Sequence, residues 1–195
     1  MLNLNMIKKH FPTILFLIIL TTILLALLFK FDLKMERNYK GNVIEVQDFK
    51  GCSNCLVLVY SEECPHCKHL IETLNSDKVN FSSKIYLIST SNPSLFYILN
   101  ILNKYNYSFS GVPILFTIIN DTLYILEGYP AKVQDRNGYL LGKDFEERYC
   151  KSAGNPIYIN GTYAFCKIGD NRFLGNLYSL NYLLNVCEKN KCYVK

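Results

Sequence analysis

Cys64-Pro65-His66-Cys67 follows closely on the apolar run Leu56-Val57-Leu58-Val59-Tyr60, and that junction constrains the chain more than any other stretch. A continuous apolar run without polar alternation reads as a strand covered on both faces. The residues behind it read as a helix start. Cys64 takes the N-cap position and Pro65 the first helical position, where the missing N–H leaves no bond unmade. Leu70, Ile71 and Leu74 supply an apolar stripe, and Asn75-Ser76-Asp77 stops it. A buried strand that ends in C-x-x-C and opens into a helix presents a dithiol. At the helix N-terminus, unpaired N–H groups and the helix dipole stabilise a thiolate at Cys64. Cys67, one turn further in, is shielded and suits a resolving thiol.

The surrounding pattern is regular. Val43-Ile44-Glu45-Val46 reads as a first edge strand, and Lys84 to Thr90 as the strand after the helix. Pro93-Ser94 opens a second helix to about Tyr105, and Ser110-Gly111-Val112-Pro113 is a loop. Ile114–Ile119 and Thr122–Leu126 flank Asn120-Asp121 as a β-hairpin. The order is β–α–β–α–β–β over residues 43–130. Beyond it, Gly154-Asn155-Pro156 starts a second hairpin, with Ile157-Tyr158-Ile159, an Asn160-Gly161 turn and Thr162 to Ile168. Ser179 reads as the cap of a last helix running through Leu180, Leu183, Leu184 and Cys187. Residues 131–195 therefore read as a Cys-rich hairpin plus a terminal helix that completes the domain, with 131–176 inserted before that helix.

The strand, the C-x-x-C helix, the later Gly111-Val112-Pro113 and the apolar run behind it together resemble the thioredoxin superfamily. The resemblance implies an α/β fold with a central mixed sheet flanked by helices. It implies a catalytic Cys64 and Cys67, with His66 tuning the thiol. The family's cis-proline maps onto Pro113, facing the C-x-x-C, and Val112 would offer backbone hydrogen bonds to an extended substrate. Cys-Pro-His-Cys is also the motif of the DsbA family of disulfide oxidases, which biases the expected activity toward oxidation or isomerisation. The chain differs from these relatives in three respects. It has no Trp, and Glu62-Glu63 stands before the first Cys, where carboxylates oppose His66. Leu58 occupies the place of a buried acid. The Pro93–Tyr105 segment is too short for the DsbA helical insertion, so the frame is nearer thioredoxin size.

The N-terminal segment stands apart. After a short tail, 1–10, Phe11 to Phe29 is a run of 19 residues without a charge, close to the ~20 that span a bilayer as a helix. It ends Leu27-Leu28-Phe29-Lys30, with none of the small residues of a signal-peptide cleavage site. Residues 11–29 read as a transmembrane signal anchor and 30–42 as a stem. Lys30, Lys34, Arg37 and Lys40 follow the run, and a literal positive-inside count would leave the domain in the cytoplasm. The eight cysteines argue for the extracytoplasmic side, and long domains are translocated largely regardless of charge. N-x-S/T sequons at Asn80, Asn106, Asn120 and Asn160 fit an exported domain.

The other cysteines read as structural. Cys52 and Cys55 form a second C-x-x-C. Five strand residues separate the two motifs by ~16 Å at ~3.3 Å each, too far for shared zinc ligands at ~2.3 Å, so a local Cys52–Cys55 disulfide is expected. Spacing favours Cys150–Cys166 and Cys187–Cys192 among the three pairings that four cysteines allow. His69 reads as a solvated helix residue. The net charge of +5 forms no basic patch after residue 50, so nucleic acid is not an expected partner. No metal or cofactor is called for, because two sulfurs carry dithiol chemistry themselves. The expectation is a membrane-anchored, extracytoplasmic thiol-disulfide oxidoreductase, with cysteine-containing client proteins and a membrane or soluble redox partner. A dedicated reductase, as in cytochrome c maturation, and a non-catalytic client-binding or assembly subunit are the alternatives.

Overall fold

A computed structural model of the chain describes residues 19–22, 41–129 and 143–195. The chain divides into two units, 1–38 and 39–195. In the first, 19–22 form a helical turn with Ile19 and Leu20 exposed. The rest of the expected span, the tail 1–10 and most of the stem lie outside the described residues. Among the described residues no helix is long and apolar enough to cross a membrane.

The second unit is an α/β domain. Its strands are β1 (Val43–Glu45), β2 (Cys52–Ser53), β3 (Cys55–Tyr60), β4 (Lys84–Ser89), β5 (Ile114–Ile119), β6 (Thr122–Glu127), β7 (Asn155–Ile159), β8 (Thr162–Gly169), β9 (Arg172–Leu174) and β10 (Cys192–Val194). Its helices are α1 (Pro65–Asn75), α2 (Leu95–Lys104), α3 (Lys143–Ala153) and α4 (Leu177–Lys189). One mixed sheet joins all ten strands, in the order β1-β4-β3-β5-β6-β9-β8-β7, with β10 beside β5 and β2.

Every residue of β3 is buried, so successive side chains need cover on opposite faces. Leu56, Leu58 and Tyr60 pack with Leu70, Ile71 and Leu74 of α1 and with Leu180, Leu183 and Leu184 of α4. Val57 and Val59 pack with Ile98, Ile101 and Leu102 of α2. β4 runs parallel to β3, and β1 parallel to β4 at the edge. β5 runs antiparallel to β3, pairing Phe116 with Val57. Asn120 and Asp121 turn β5 into β6 with φ of 49° and 56°, the two positive φ values that a type I′ hairpin turn demands.

The C-terminal half extends this sheet. β9 adds in parallel to β6, β8 pairs with β9, and β7 pairs with β8 across the Asn160-Gly161 turn. α3 is held to β8 by the Cys150–Cys166 disulfide, which sits in a small core with Tyr163. Cys187–Cys192 ties the end of α4 to β10. One local expectation is corrected. Asn176, not Ser179, is the N-cap of α4; its side chain accepts from the Ser179 N–H while the Ser179 hydroxyl accepts from the Asn176 N–H. That reciprocal box satisfies two orphan N–H groups.

The chain passes from β9 into α4 through Gly175, whose N–H donates to the Glu127 carbonyl at 2.9 Å. A Cβ there would overlap the Gly128 carbonyl oxygen and stand 2.7 Å from a Leu126 methyl. Gly175→Ala is therefore expected to destabilise the domain by about 1–3 kcal/mol through overpacking. A lowered urea midpoint at unchanged slope would report it.

Candidate active site

The parallel β3 and the turn Ser61–Glu63 deliver Cys64 to the start of α1. The Cys64 N–H donates to the Ser61 carbonyl at 3.2 Å, which closes the turn. Cys64 is the N-cap and Pro65 the first helical residue. The Cys64 sulfur accepts the Cys67 N–H at 3.4 Å, so the helix terminus itself solvates this sulfur. Both cysteines are free thiols; Cys64 is half-buried and Cys67 fully buried.

The facing wall is the loop before β5. The Val112–Pro113 peptide bond is cis, and Pro113 is buried while Val112 is half-buried. The Cys64 thiol donates to the Val112 carbonyl at 3.7 Å. The Pro113 carbonyl in turn accepts the Gly128 N–H at 2.9 Å, which fixes this loop against the end of β6. Cys64, Cys67, Val112 and Pro113 thus share one site.

His66 lies at the same end, but its ring is anchored sideways. Its Nδ1 is 2.7 Å from the Tyr129 carbonyl oxygen. A carbonyl only accepts, so Nδ1 carries a proton whether the imidazole is neutral or charged. Tyr129, missed by the sequence reading, is buried beside α1. Its ring meets His69 edge-on at 5.3 Å, so His69 is half-buried rather than solvated. Glu62 and Glu63 are exposed. Leu58 lies wholly buried in the same core as Cys67.

The remaining cysteines lie elsewhere. Cys52–Cys55 is a disulfide at the opposite end of β3. Cys187 Sγ stands 3.9 Å from the Cys55 carbonyl oxygen, so two disulfides share that pole. The third, Cys150–Cys166, belongs to the C-terminal addition. No family model matches the chain, and neither does any curated protein or solved structure.

The burial of Cys67 also perturbs its titration. Burial, then the neighbouring Cys64 side chain, pushes the Cys67 thiol up to about 12, against a smaller lowering by the Ser61 backbone. Alkylation of the reduced protein at pH 8 is expected to label Cys64 and spare Cys67, read by peptide mass. The same shift has a stability consequence. Folded Cys67 holds its proton to about pH 12 while the unfolded thiol releases it near 9. The unfolded chain then binds fewer protons across that window, and stability falls as pH rises through it. Cys67→Ala should flatten the pH 8.5–10 part of the reduced protein's stability profile, measured by denaturant titration.

Proposed function

We propose that the chain is a thiol-disulfide oxidoreductase of the thioredoxin type that acts on protein cysteines, and that its domain works outside the cytoplasm, anchored by residues 11–29. The observation that carries this is the junction of an accessible helix-capping Cys64, a buried Cys67 and the Val112–Pro113 loop 3.7 Å from the Cys64 sulfur. The element order β–α–β–α–β–β, with a last helix packed on the face of α1, supports the resemblance. The eight cysteines and the uncharged run support the anchored, exported setting.

In the oxidising direction a client thiolate attacks Cys64 Sγ of the Cys64–Cys67 disulfide. A client–Cys64 disulfide forms, and Cys67 leaves as a thiolate that takes up a proton. A second client thiolate attacks the client sulfur of that mixed disulfide and expels Cys64. Two electrons pass from the client dithiol to the pair, and a redox partner must remove them for another turnover. Isomerisation uses the same mixed disulfide, with the second attack rearranging the client's own bonds. The raised pKa of Cys67 keeps the resolving thiol protonated until it is called on, while the Cys67 N–H donates to the Cys64 sulfur. The cis Val112–Pro113 loop would hold the client segment against the sulfur.

The decisive variant is Cys67→Ala, which removes the resolving thiol but leaves the attacking one. Incubated with an oxidised, disulfide-containing client, it is expected to accumulate covalent adducts through Cys64 that dissolve in dithiothreitol. The further change Cys64→Ser should abolish them. A folded Cys67→Ala protein that yields no adduct would refute catalysis through this pair.

A further inference from the structure

A cavity of about 400 Å³ opens beside the loop before β5 that faces Cys64, in the size range of small-ligand sites. Gly111 and Val112 form one side of it, so its wall includes the residue whose carbonyl receives the Cys64 thiol. Arg172 of β9 forms the other side, supplied by the C-terminal addition. The proposed redox chemistry uses neither Arg172 nor the cavity.

Arg172 is fixed in place by two contacts. Its Nε donates to Glu127 Oε1 at 2.7 Å, and its guanidinium carbon lies 5.1 Å from the Tyr107 ring centroid. Glu127 is 17% exposed and Arg172 44%, so an incoming group meets the cation before the carboxylate. A guanidinium has five N–H donors, and among the described residues only Nε is engaged. Tyr107, which also lines the cavity, is buried, and its hydroxyl has no hydrogen-bond partner although Glu127 and Ser110 stand close. The remaining guanidinium donors and the Tyr107 hydroxyl share the cavity with the Glu127 carboxylate, while Val112, Ile114 and Ile168 add apolar cover. One Glu127 oxygen is already taken by Arg172 Nε, and the guanidinium N–H groups left over can receive an acceptor oxygen from a short side chain.

We propose that this cavity is a client-selection pocket, taking an Asp, Glu, Asn or Gln side chain that lies near the client cysteine. This rests on the oxidoreductase reading of Cys64. With the client sulfur at Cys64, a residue two positions away along an extended segment reaches ~7 Å and returns to the same side. Val112 both receives the Cys64 thiol and lines the cavity, so a residue at that spacing is the one the proposal places there. Carboxylates should bind best, because an ionised acceptor strengthens the bond to Arg.

The test uses the full chain, oxidised at Cys64–Cys67, and reduced single-cysteine peptides with Asp, Asn, Leu or Lys two residues before or after the cysteine. The readout is the rate of peptide–Cys64 disulfide formation. In one of the two placements the Asp peptide is expected to react about tenfold faster than the Leu peptide, with Asn between them and Lys slowest. In the Arg172→Gln, Glu127→Gln double variant, which leaves no unpaired charge, the Asp-to-Leu ratio should fall to near one. Lys167→Ala, which removes a cation outside the cavity, should keep the wild-type ratio. Equal rates for Asp, Asn and Leu peptides in the wild-type chain would overturn the pocket and leave the redox reading standing. The same holds for a preference that survives the double variant or vanishes in Lys167→Ala. No exchange with any peptide would overturn the redox reading itself.

Discussion

The complete burial of β3 is the constraint on which the rest of the structure depends. Six consecutive residues, Cys55 to Tyr60, are shielded on both faces, and each large apolar side chain so buried contributes ~1.5–3 kcal/mol. Such a strand cannot sit at an edge or face water on one side. It requires β4 and β5 as neighbours, α1 and α4 above one face and α2 above the other. Because β3 is central and ends at Tyr60, the chain emerges from the middle of the sheet. A short turn there places the N-terminus of α1 directly over the end of β3. The location of Cys64 follows from where the apolar run stops.

The covalent staples respect this polarity. Cys52–Cys55 and Cys187–Cys192 hold the far end of β3 and the return of the chain after α4. Cys150–Cys166 closes α3 onto β8; a loop of ~15 residues cross-linked in this way is worth ~3 kcal/mol in the chain-entropy model. Among the described residues the end that carries Cys64 and Cys67 has no structural disulfide; hydrogen bonds involving Ser61, Val112, Gly128 and Tyr129 and apolar packing order it. Two of the three covalent staples thus lie at the pole opposite the thiols. The C-terminal addition is continuous with the sheet through β6 and β9, so Arg172 is carried on a strand rather than a loop.

Features whose cause is local were legible in the sequence. The apolar run Leu56–Tyr60, the Cys64–Pro65 helix start and the Asn120-Asp121 and Asn160-Gly161 turns each contain their own physical reason. The three disulfides follow the short spacings between their cysteines. Features whose cause lies in a distant partner were not. β2, β9 and β10 are two or three residues long, too short for any period; β9 pairs with β6 and β8, β10 with β5, and β2 with β10. Ser179 and Asn176 are both good caps, and only the reciprocal bonding separates them. The segment that forms α3 is rich in charged residues, and Cys150 closes it onto Cys166 of β8. The motif places His66 as a residue tuning the Cys64 thiol; the Tyr129 carbonyl beside its Nδ1 is a backbone group no motif announces. Tyr107, Glu127 and Arg172 meet only because β6 and β9 pair.

Cys64 and Cys67 are proposed as the redox-active pair and the other six cysteines as structural. The most direct measurement is a titration of the folded protein across dithiothreitol ratios, with every cysteine counted by differential alkylation and mass spectrometry. Cys64–Cys67 alone is expected to interconvert between thiol and disulfide at the more oxidising potentials, with Cys52–Cys55, Cys150–Cys166 and Cys187–Cys192 staying oxidised until far more reducing conditions. Reduction of Cys52–Cys55 ahead of Cys64–Cys67, or no Cys64–Cys67 disulfide at any potential, would contradict it.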